Sequence, residues 1–270
     1  MSSERNGMAI VSSESGVSAP RWHHWQWWQQ WPIRFANCLG EHLPGTCLVC
    51  QRWPSPQLCS DCAAICAPSA TGRCDRCALP LPGTSRVCPA CLLDPLPLRH
   101  CHAAVDYSPP WSGMVQQFKY HQHLAWARPM AQLMLQAPHA RQWLQQADLV
   151  LAVPLSAARL RERGYNQALQ LARALQRQAP GNAVLHSGWL LRLADTPAQA
   201  QLGRAARLRN LRHAFAVEPR HAAAICGRQV LLVDDVMTTG ATLAAVANML
   251  LAHGASAVDA MVFARTPSPE

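Results

Sequence analysis

The chain has almost no lysine, few acidic residues and no long apolar segment. Lys119 is the one lysine among 24 basic residues, and 15 residues are acidic, so arginine carries the formal net charge of +9. No window approaches the roughly 20 apolar residues of a membrane-spanning helix, and the N-terminal residues lack the apolar run of a secretory signal. We therefore expect a cytoplasmic protein without a transmembrane segment.

Acidic side chains are especially scarce in the middle of the chain. Ten arginines lie between Val150 and Ala214, against only Glu162 and Asp195. This concentrates positive potential on one segment and predicts an anionic ligand or a nucleic acid as the partner. A length of 270 residues suits an α/β domain of ordinary size with a small appended module, so we expect two domains.

Twelve cysteines in a chain without an export signal need an explanation other than disulfides. Eight of them form four C-x2-C pairs, each able to make one zinc knuckle, and two knuckles make a tetrahedral site. The spacing predicts two consecutive zinc ribbons, and the metal is structural because four thiolates leave no open position for a substrate. Sequential pairing is expected, with interleaved pairing as the alternative. The predicted ligands are Cys47, Cys50, Cys59, Cys62, Cys74, Cys77, Cys88 and Cys91.

The N-terminal residues and the remaining cysteines are expected to take no direct part in chemistry. Residues 1–20 are rich in polar residues, which predicts disorder. Residues 21–31 hold five tryptophans, which suit packing on the zinc module, stacking on single-stranded bases or a membrane interface. We expect packing or a weak interface role. The cysteines expected to be small apolar packing residues are Cys38, Cys66, Cys101 and Cys226.

One segment combines a buried strand, two carboxylates and a small-residue loop that opens a helix. Residues 229–233 form a short apolar run typical of a central parallel strand, and apolar residues then recur at helical spacing until Gly254. Asp234, Asp235 and the loop lie between strand and helix. Free N–H groups at a helix start, together with threonine hydroxyls, favour a phosphate there, and a glycine lets the backbone approach closely. The loop residues are Thr238, Thr239, Gly240, Ala241 and Thr242.

The two adjacent carboxylates suit ribose hydroxyls, or a magnesium ion held partly through water, and not the phosphate itself. With the loop, they resemble the signature of type I phosphoribosyltransferases for phosphoribosyl pyrophosphate (PRPP). The resemblance implies that Asp234 and Asp235 hold the ribose 2- and 3-hydroxyls in the catalytic site and that the loop holds the 5-phosphate. The alternatives are an ordinary strand-turn-helix and a receiver-like phosphoacceptor site, and the threonine-glycine loop argues against the receiver.

From Trp111 onward, helical and strand patterns alternate, as they do in a parallel sheet with crossover helices. The class predicted is therefore α/β. The loops that follow its strands should meet at the carboxyl edge of the sheet, where open α/β sheets bind ligands. Helices are predicted over residues 113–121, 124–146 and 166–178, and strands over 102–107, 149–153, 215–217, 229–233 and 256–264, with a strand pair over 184–193.

Two further loops are expected at the same edge. Arg159 and Arg163 lie within residues 154–167, with Gly164 for a tight turn, and arginines at this spacing suit bidentate contacts to a pyrophosphate. The alternative is an amphipathic surface helix with solvated arginines. Residues 192–210 have few apolar anchors in their first half and predict a mobile lid, which would exclude water from a reactive sugar centre.

Several motifs occur together and in order: the four C-x2-C pairs, Phe118-Lys119-Tyr120, the arginine loop, residues 195–210 and the PRPP signature. This order resembles the ComF family, including its GntX-type relatives, over roughly residues 44–270. The resemblance implies a double zinc ribbon (44–95) and a type I phosphoribosyltransferase-like parallel sheet (100–270). Residues 1–37 are expected to be a disordered, tryptophan-rich leader, which has no counterpart in the family pattern. It also implies that Arg159, Arg163 and Gly164 hold the pyrophosphate of PRPP.

The family resemblance implies a role in competence, the handling of incoming single-stranded DNA in natural transformation. The first hypothesis is therefore a protein that binds PRPP with Mg²⁺, binds single-stranded DNA and works with the DNA-uptake machinery. The second is an active phosphoribosyltransferase with an unknown acceptor, because the parts that stabilise a departing pyrophosphate are present. Neither a hood for a nucleobase nor a general base is evident in the sequence, and we favour the first hypothesis.

Overall fold

The computed structural model describes residues 45–65, 72–137, 139–193 and 214–267. The predicted leader, residues 194–210 of the predicted lid, Cys38 and Cys66 lie outside these described residues. The segment that holds the four C-x2-C pairs, residues 47–91, is called the cysteine-rich segment. This segment and the sheet belong to one compact unit, Pro44–Glu270. Within the described residues, no helix combines the length and the apolar character needed to cross a membrane.

Five of the strands in the described residues form one parallel sheet. The strands are β1 (Cys101–Asp106), β2 (Leu149–Ala152), β3 (Val184–His186), β4 (Leu190–Arg192), β5 (Phe215–Val217), β6 (Gln229–Met237) and β7 (Ala257–Arg265). The sheet has the order β1-β7-β6-β2-β3, and every neighbouring pair is parallel. β4 and β5 pair with each other in the antiparallel sense. The predicted α/β class with a parallel sheet is confirmed.

The helices cover the sheet and connect its strands. They are α1 (Ser60–Ile65), α2 (Pro89–Leu93), α3 (Trp111–Tyr120), α4 (Ala127–Met134), α5 (Ala140–Gln146), α6 (Ala157–Arg163), α7 (Gln167–Gln178) and α8 (Ala241–Ala252), with 3-10 turns at Leu124–Trp126 and Pro219–Ile225. α6 follows the carboxyl end of β2, and α8 follows the carboxyl end of β6. Both helix starts therefore lie at the same edge of the sheet.

Both faces of the sheet are buried, which explains the unbroken apolar run at the start of β6. Val230 and Leu232 pack in one cluster with α8 and with the cysteines between residues 74 and 91. Leu231 and Val233 point to the other face and pack in a second cluster with α3, α4, α5 and α7. The sheet is thus the middle of three layers, and the cysteine-rich segment contributes to both outer layers.

The predicted helix over residues 124–146 is wrong. A 3-10 turn and two shorter helices, α4 and α5, occupy these positions, and His139 has a positive φ of 64°. Pro138 is the sequence signal for the break, because proline lacks the N–H that a helix needs and disfavours helical backbone at the residue before it. Two other elements also differ in extent. β6 continues to Met237, beyond the predicted end at 233, and residues 184–193 divide between the parallel sheet and the ribbon with β5.

Candidate functional site

The acidic pair lies inside β6, near its carboxyl end. Asp234 is level with Val262 of β7, and the Asp235 backbone N–H donates to Asp234 Oδ1 over 2.8 Å. Burial, and after it the adjacent charge of Asp235, raise the pKa of Asp234 to about 7. Asp235 is buried and Asp234 is half-buried. The pair is therefore a largely buried acidic site that gains stability when a cation or hydrogen-bond donors approach it.

A lysine from α3 neutralises one of the two carboxylates. Lys119 Nζ lies 3.1 Å from Asp235 Oδ2, and both side chains are largely buried. Sequence reasoning placed Lys119 in a family motif without giving it a role. The signal in the sequence was that Lys119 is the only lysine in an arginine-rich chain. A position that holds lysine where all other basic side chains except histidine are arginine is a candidate for a specific role.

The loop after β6 is a tight turn that opens α8. Gly240 starts this 12-residue helix with a positive φ of 79°, and the Thr239 hydroxyl accepts from the Ala241 N–H over 3.4 Å. A Cβ on Gly240 would lie 2.5 Å from Met237 Cε and 3.0 Å from Leu96 Cδ1. Thr238 is exposed, while Thr239 and Thr242 are half-buried. The loop thus presents threonine hydroxyls and the start of a helix at the sheet edge, an arrangement that suits an anion.

We expect Gly240→Ala to destabilise the protein more than Gly188→Ala, because both strain the backbone but only the first also creates a close contact. Gly188 is a matched control, because its φ is 84° and an added Cβ would meet nothing within 4 Å. Left-handed backbone costs a non-glycine residue about 1–2 kcal/mol, which applies to both variants. The close contacts at Gly240 are with the ends of the Met237 and Leu96 side chains, which can shift, so they should add about 1 kcal/mol, the low end of the cost of overpacking. Urea unfolding measures both, and equal losses would mean that the loop is not tightly packed.

The arginine loop forms α6, held between two caps. Ser156 accepts from the Arg159 N–H over 3.4 Å at the start of the helix, and Gly164 ends it with a φ of 78°. Asn166 donates to the Val153 carbonyl over 3.0 Å and accepts from the Leu169 N–H over 3.3 Å. Asn166 therefore fixes the end of β2 to the start of α7.

Arg163 is not a solvated surface residue. The residue is 8% exposed, and its guanidinium donates to Gln167 Oε1 over 3.1 Å and lies 5.1 Å from the centre of the Tyr120 ring. Burial raises the pKa of Tyr165. The neighbouring Gln167 side chain and the Arg163 charge act to lower this pKa, and the Asp235 charge acts to raise it. The structure therefore brings Arg163 into the surroundings of the acidic pair, whereas Arg159 lies one turn earlier on α6 and is half-exposed.

Two buried nitrogen donors, one on Arg163 and one on the adjacent Gln167, have no hydrogen-bond partner among the described residues. They are Arg163 Nε and Gln167 Nε2. A buried N–H without a partner costs about 1–3 kcal/mol, so such groups usually face a ligand or water. Sequence reasoning assigned no role to Gln167. Its donors and the guanidinium of Arg163 are suited to an anion such as a pyrophosphate.

The eight cysteines of the C-x2-C pairs form two groups in sequential order. The ligand atoms within each group lie within 4.8 Å of one another: Cys47, Cys50, Cys59 and Cys62 in the first group, and Cys74, Cys77, Cys88 and Cys91 in the second. The Cys50 and Cys59 sulfurs are 3.8 Å apart and the Cys77 and Cys88 sulfurs 3.6 Å apart, well beyond a disulfide bond of about 2.05 Å. Each group can hold one metal ion.

Backbone amides prepare some of these thiols to be ligands. Burial raises the pKa of Cys47, but hydrogen bonds from the Cys50, Cys59 and Val49 amides outweigh it and lower that pKa to about 6. In the second group, the Cys88 N–H donates to Cys74 Sγ over 3.3 Å. Amide donors of this kind favour thiolates, which are the form that binds a metal.

Cys101 and Cys226 belong to neither group. Cys101 is buried, as predicted, and its sulfur lies 3.6 Å from Met237 Sδ. Cys226 is exposed, so its predicted role as a packing residue is wrong. Its sulfur nevertheless lies 3.1 Å from where a Cβ on Gly254 would be. Periodicity could not reveal the exposure of Cys226, because this residue follows a 3-10 turn and belongs to no helix or strand.

Comparison with known proteins identifies the family. The chain is 33% identical over 237 residues to the DNA utilization protein YhgH of Escherichia coli strain K12, covering 83% of this chain and 98% of that protein. The chain belongs to the ComF family. A relative of the same name from Salmonella typhimurium strain LT2 is 33% identical over 230 residues, again covering 83% of this chain and 98% of that protein. Competence protein F of Haemophilus influenzae is 29% identical over 183 residues, which is 62% of this chain and 79% of that protein.

Residues 143–270 match the phosphoribosyl transferase domain family. This range holds α6 and α7, β6 with its acidic pair, and the loop that opens α8. The two cysteine groups precede it in the chain. The expected ComF architecture, a phosphoribosyltransferase-like sheet with an N-terminal module of two four-cysteine groups, is therefore confirmed.

Proposed function

We propose that this ComF protein acts in DNA uptake by binding PRPP with Mg²⁺ at the carboxyl edge of the sheet and single-stranded DNA on its arginine-rich surface. The observation that carries the proposal is the acidic pair and the Gly240 loop side by side at that edge. The names of the relatives, DNA utilization protein and competence protein F, support a role in DNA uptake. The DNA-uptake machinery as a partner is part of the proposal. A cytoplasmic location is part of the proposal.

The acidic pair would hold the ribose of PRPP. Asp234 and Asp235 accept hydrogen bonds from the 2- and 3-hydroxyls, and the ionised form of Asp234 becomes more stable as donors or a cation replace the water lost on burial. Carboxylate oxygens at this position also suit Mg²⁺, which when bound would neutralise the negative charge of the pyrophosphate. Lys119, paired with Asp235, would help to balance the charge of the anions that enter.

The two loops would hold the two ends of PRPP. The 5-phosphate fits the loop of Thr238, Thr239, Gly240, Ala241 and Thr242, where Gly240 supplies the positive φ of the turn and its missing Cβ lets the loop pack on Met237 and Leu96 beneath it. The pyrophosphate fits Arg159, Arg163 and Gly164, because Arg163 is held by Tyr120 and Gln167 with one donor still unpartnered among the described residues. The two four-cysteine groups would each hold a structural zinc ion, since four thiolates are a soft, closed donor set.

The DNA surface would be formed by exposed arginines of α6 and α7. Arg161, Arg173 and Arg177 are exposed, and in the described part of the chain no ion pair joins them to a carboxylate. Unpaired guanidinium groups contact a phosphate backbone and stack on bases without reading sequence. This arrangement supports single-stranded DNA with little sequence preference.

We expect single-stranded DNA to bind with an affinity that falls steeply as salt rises, measured by fluorescence anisotropy across a salt series. Changing Arg161, Arg173 and Arg177 together to glutamine should make the slope of log affinity against log salt shallower by about 2, since each single-strand phosphate contact contributes about 0.7. Arg52→Gln with Arg220→Gln is a control, because both are exposed but paired with Asp61 and Glu218.

A flat salt dependence, or no binding at low salt, would contradict the proposed DNA surface. A version of the protein that lacks residues 1–32 separates the contribution of the tryptophan-rich leader from that of the arginines. If this truncation alone abolishes binding while the triple arginine variant binds normally, the leader is the DNA-binding element.

An active phosphoribosyltransferase is the second candidate, and the match of residues 143–270 to the phosphoribosyl transferase domain family favours it. Incubating the protein with Mg²⁺, PRPP and a panel of nucleobases and single-stranded DNA, and measuring pyrophosphate release, distinguishes the candidates. Release that requires one of the acceptors and disappears when the acidic pair is changed would establish a transferase, whereas release without an acceptor would be hydrolysis of PRPP by water. PRPP binding without release would leave a ligand-binding protein.

A further inference from the structure

One buried arginine connects the second cysteine group to the loop proposed to hold the 5-phosphate. Arg265 is the last residue of β7, is 5% exposed and is level with Met237 of β6. Its Nε donates to the Cys77 carbonyl over 2.8 Å. Its Nη1 donates to the Met237 carbonyl over 3.3 Å and also to the carbonyls of Thr238 and Thr266.

The charge of Arg265 also connects this residue to the second cysteine group. In the described part of the chain, its hydrogen bonds go to backbone carbonyls and none goes to a carboxylate. A guanidinium stays protonated in proteins, so this buried charge gains stability from a nearby counter-charge. Four thiolates around a divalent ion carry a net charge of about −2, and a loaded second group would supply that counter-charge.

Packing makes a second connection between the same two parts. Leu96 follows the second cysteine group and packs against Gly240. A Cβ added to Gly240 would lie 3.0 Å from Leu96 Cδ1. The Cys101 sulfur lies 3.6 Å from Met237 Sδ at the start of the loop. The underside of the loop therefore rests on the segment that carries the second cysteine group, and Arg265 hydrogen-bonds to both.

We infer that Arg265 is a positioning residue that couples metal binding at the second cysteine group to the conformation of the phosphate loop, and so to PRPP affinity. Its planar guanidinium donates at the same time to the Cys77 carbonyl and to the Met237 and Thr238 carbonyls of the loop. A lysine ammonium is a single point of charge and cannot make both sets of hydrogen bonds. If metal binding orders the loop, then PRPP binding must strengthen metal binding to the same extent, because coupling between two sites is reciprocal. The PRPP part of this inference rests on the proposed function, whereas the connection between metal and loop does not.

The test uses Arg265→Lys in the full chain, with two amides as reporters of the loop. The Ala244 N–H donates to the Gly240 carbonyl over 2.8 Å and the Thr266 N–H to the Met237 carbonyl over 3.0 Å. Hydrogen exchange of these amides should be about tenfold faster in the variant than in wild type, at full metal content, as expected for a coupling of ordinary size. Arg86→Lys is the control, since Arg86 is exposed and pairs with Asp75 near the same cysteine group. It should leave both reporters unchanged.

Wild type provides a second arm that does not depend on the variant folding. Removing the metals with a chelator should accelerate exchange of the two reporters, while amides in the middle of β6 keep their protection. If PRPP binds wild type, its dissociation constant should rise about tenfold in Arg265→Lys and stay unchanged in Arg86→Lys.

Reporters that exchange at the wild-type rate in metal-loaded Arg265→Lys would overturn the inference. The same holds if metal removal from wild type leaves them protected. If wild type does not bind PRPP but the reporters respond, the proposed function fails while the coupling between metal and loop stands.

Discussion

Changing Asp234 and Asp235 together to asparagine should abolish Mg²⁺-dependent PRPP binding and leave the fold and the metal content intact. Amides keep the shape of the side chains, but they lose the charge and present donors where the ribose hydroxyls need acceptors. Each charge-assisted hydrogen bond contributes about 1.5–3 kcal/mol, so losing two should weaken binding by about 10²-fold or more. Calorimetry with PRPP and Mg²⁺ measures the loss.

The control residue for this variant, Asp148, precedes β2 and lies beside the amino end of β6. Asp148 accepts from the Gln229 N–H over 2.8 Å and pairs with Arg228 at the amino end of β6, away from the proposed site. Asp148→Asn should therefore leave PRPP affinity unchanged. If the double variant binds PRPP as well as wild type does, the ribose role of the acidic pair is wrong.

Two effects on stability should nearly cancel in the double variant. Neutralising Asp234 removes the cost of a buried charge next to another carboxylate, which is the reason its pKa is raised to about 7. Neutralising Asp235 leaves the largely buried Lys119 without its ion-pair partner. The variant should thus unfold at a urea concentration close to that of wild type.

Cys74→Ser should remove one of two metal ions and unfold the cysteine-rich segment. The protein should contain two zinc ions per chain, because the eight thiols form two closed groups. A module of this size has little apolar core of its own, and structural zinc contributes about 10–16 kcal/mol in comparable peptides, so the ion supplies its folding free energy. Mass spectrometry for metals and thermal unfolding measure both effects, and Cys47→Ser should act in the same way on the first group.

Cys226→Ser is the matched control for the metal sites, because Cys226 is exposed and lies outside both groups. It should retain two metal ions and unfold as wild type does. A metal content near zero with oxidised thiols would contradict the zinc ribbons. A content near one would mean that only one group binds metal.

The features that the sequence predicted correctly come from local patterns. The close spacing within each cysteine pair, the apolar start of β6 and the threonine-glycine loop each lie within a short stretch of chain. Each also has a direct physical meaning: a pair of thiols at the spacing of a metal knuckle, a strand buried on both faces, and a tight turn that opens a helix. These patterns were sufficient for the α/β class and for the sequential grouping of the cysteines.

The features that the sequence could not predict come from contacts between distant residues. Arg265 bonds to a carbonyl 188 positions away, and Lys119 reaches Asp235 from a helix on another layer. Arg163 looked equally suited to a solvated helix face, and only the packing of Tyr120 and Gln167 against it shows that it is buried. Periodicity describes which face of an element is apolar, and it does not specify which side chains meet across the fold.

Titration of PRPP into the wild-type protein by calorimetry, in buffer with Mg²⁺ and again in buffer from which Mg²⁺ is omitted, tests the central claim most directly. The account predicts saturable binding of one PRPP per chain with Mg²⁺ and much weaker binding without it, because the metal offsets the charge of the pyrophosphate against the acidic pair. Ribose 5-phosphate should bind more weakly than PRPP, since it leaves Arg159 and Arg163 without a ligand. Absence of binding heat for PRPP with Mg²⁺, at concentrations where single-stranded DNA binds, would contradict the account.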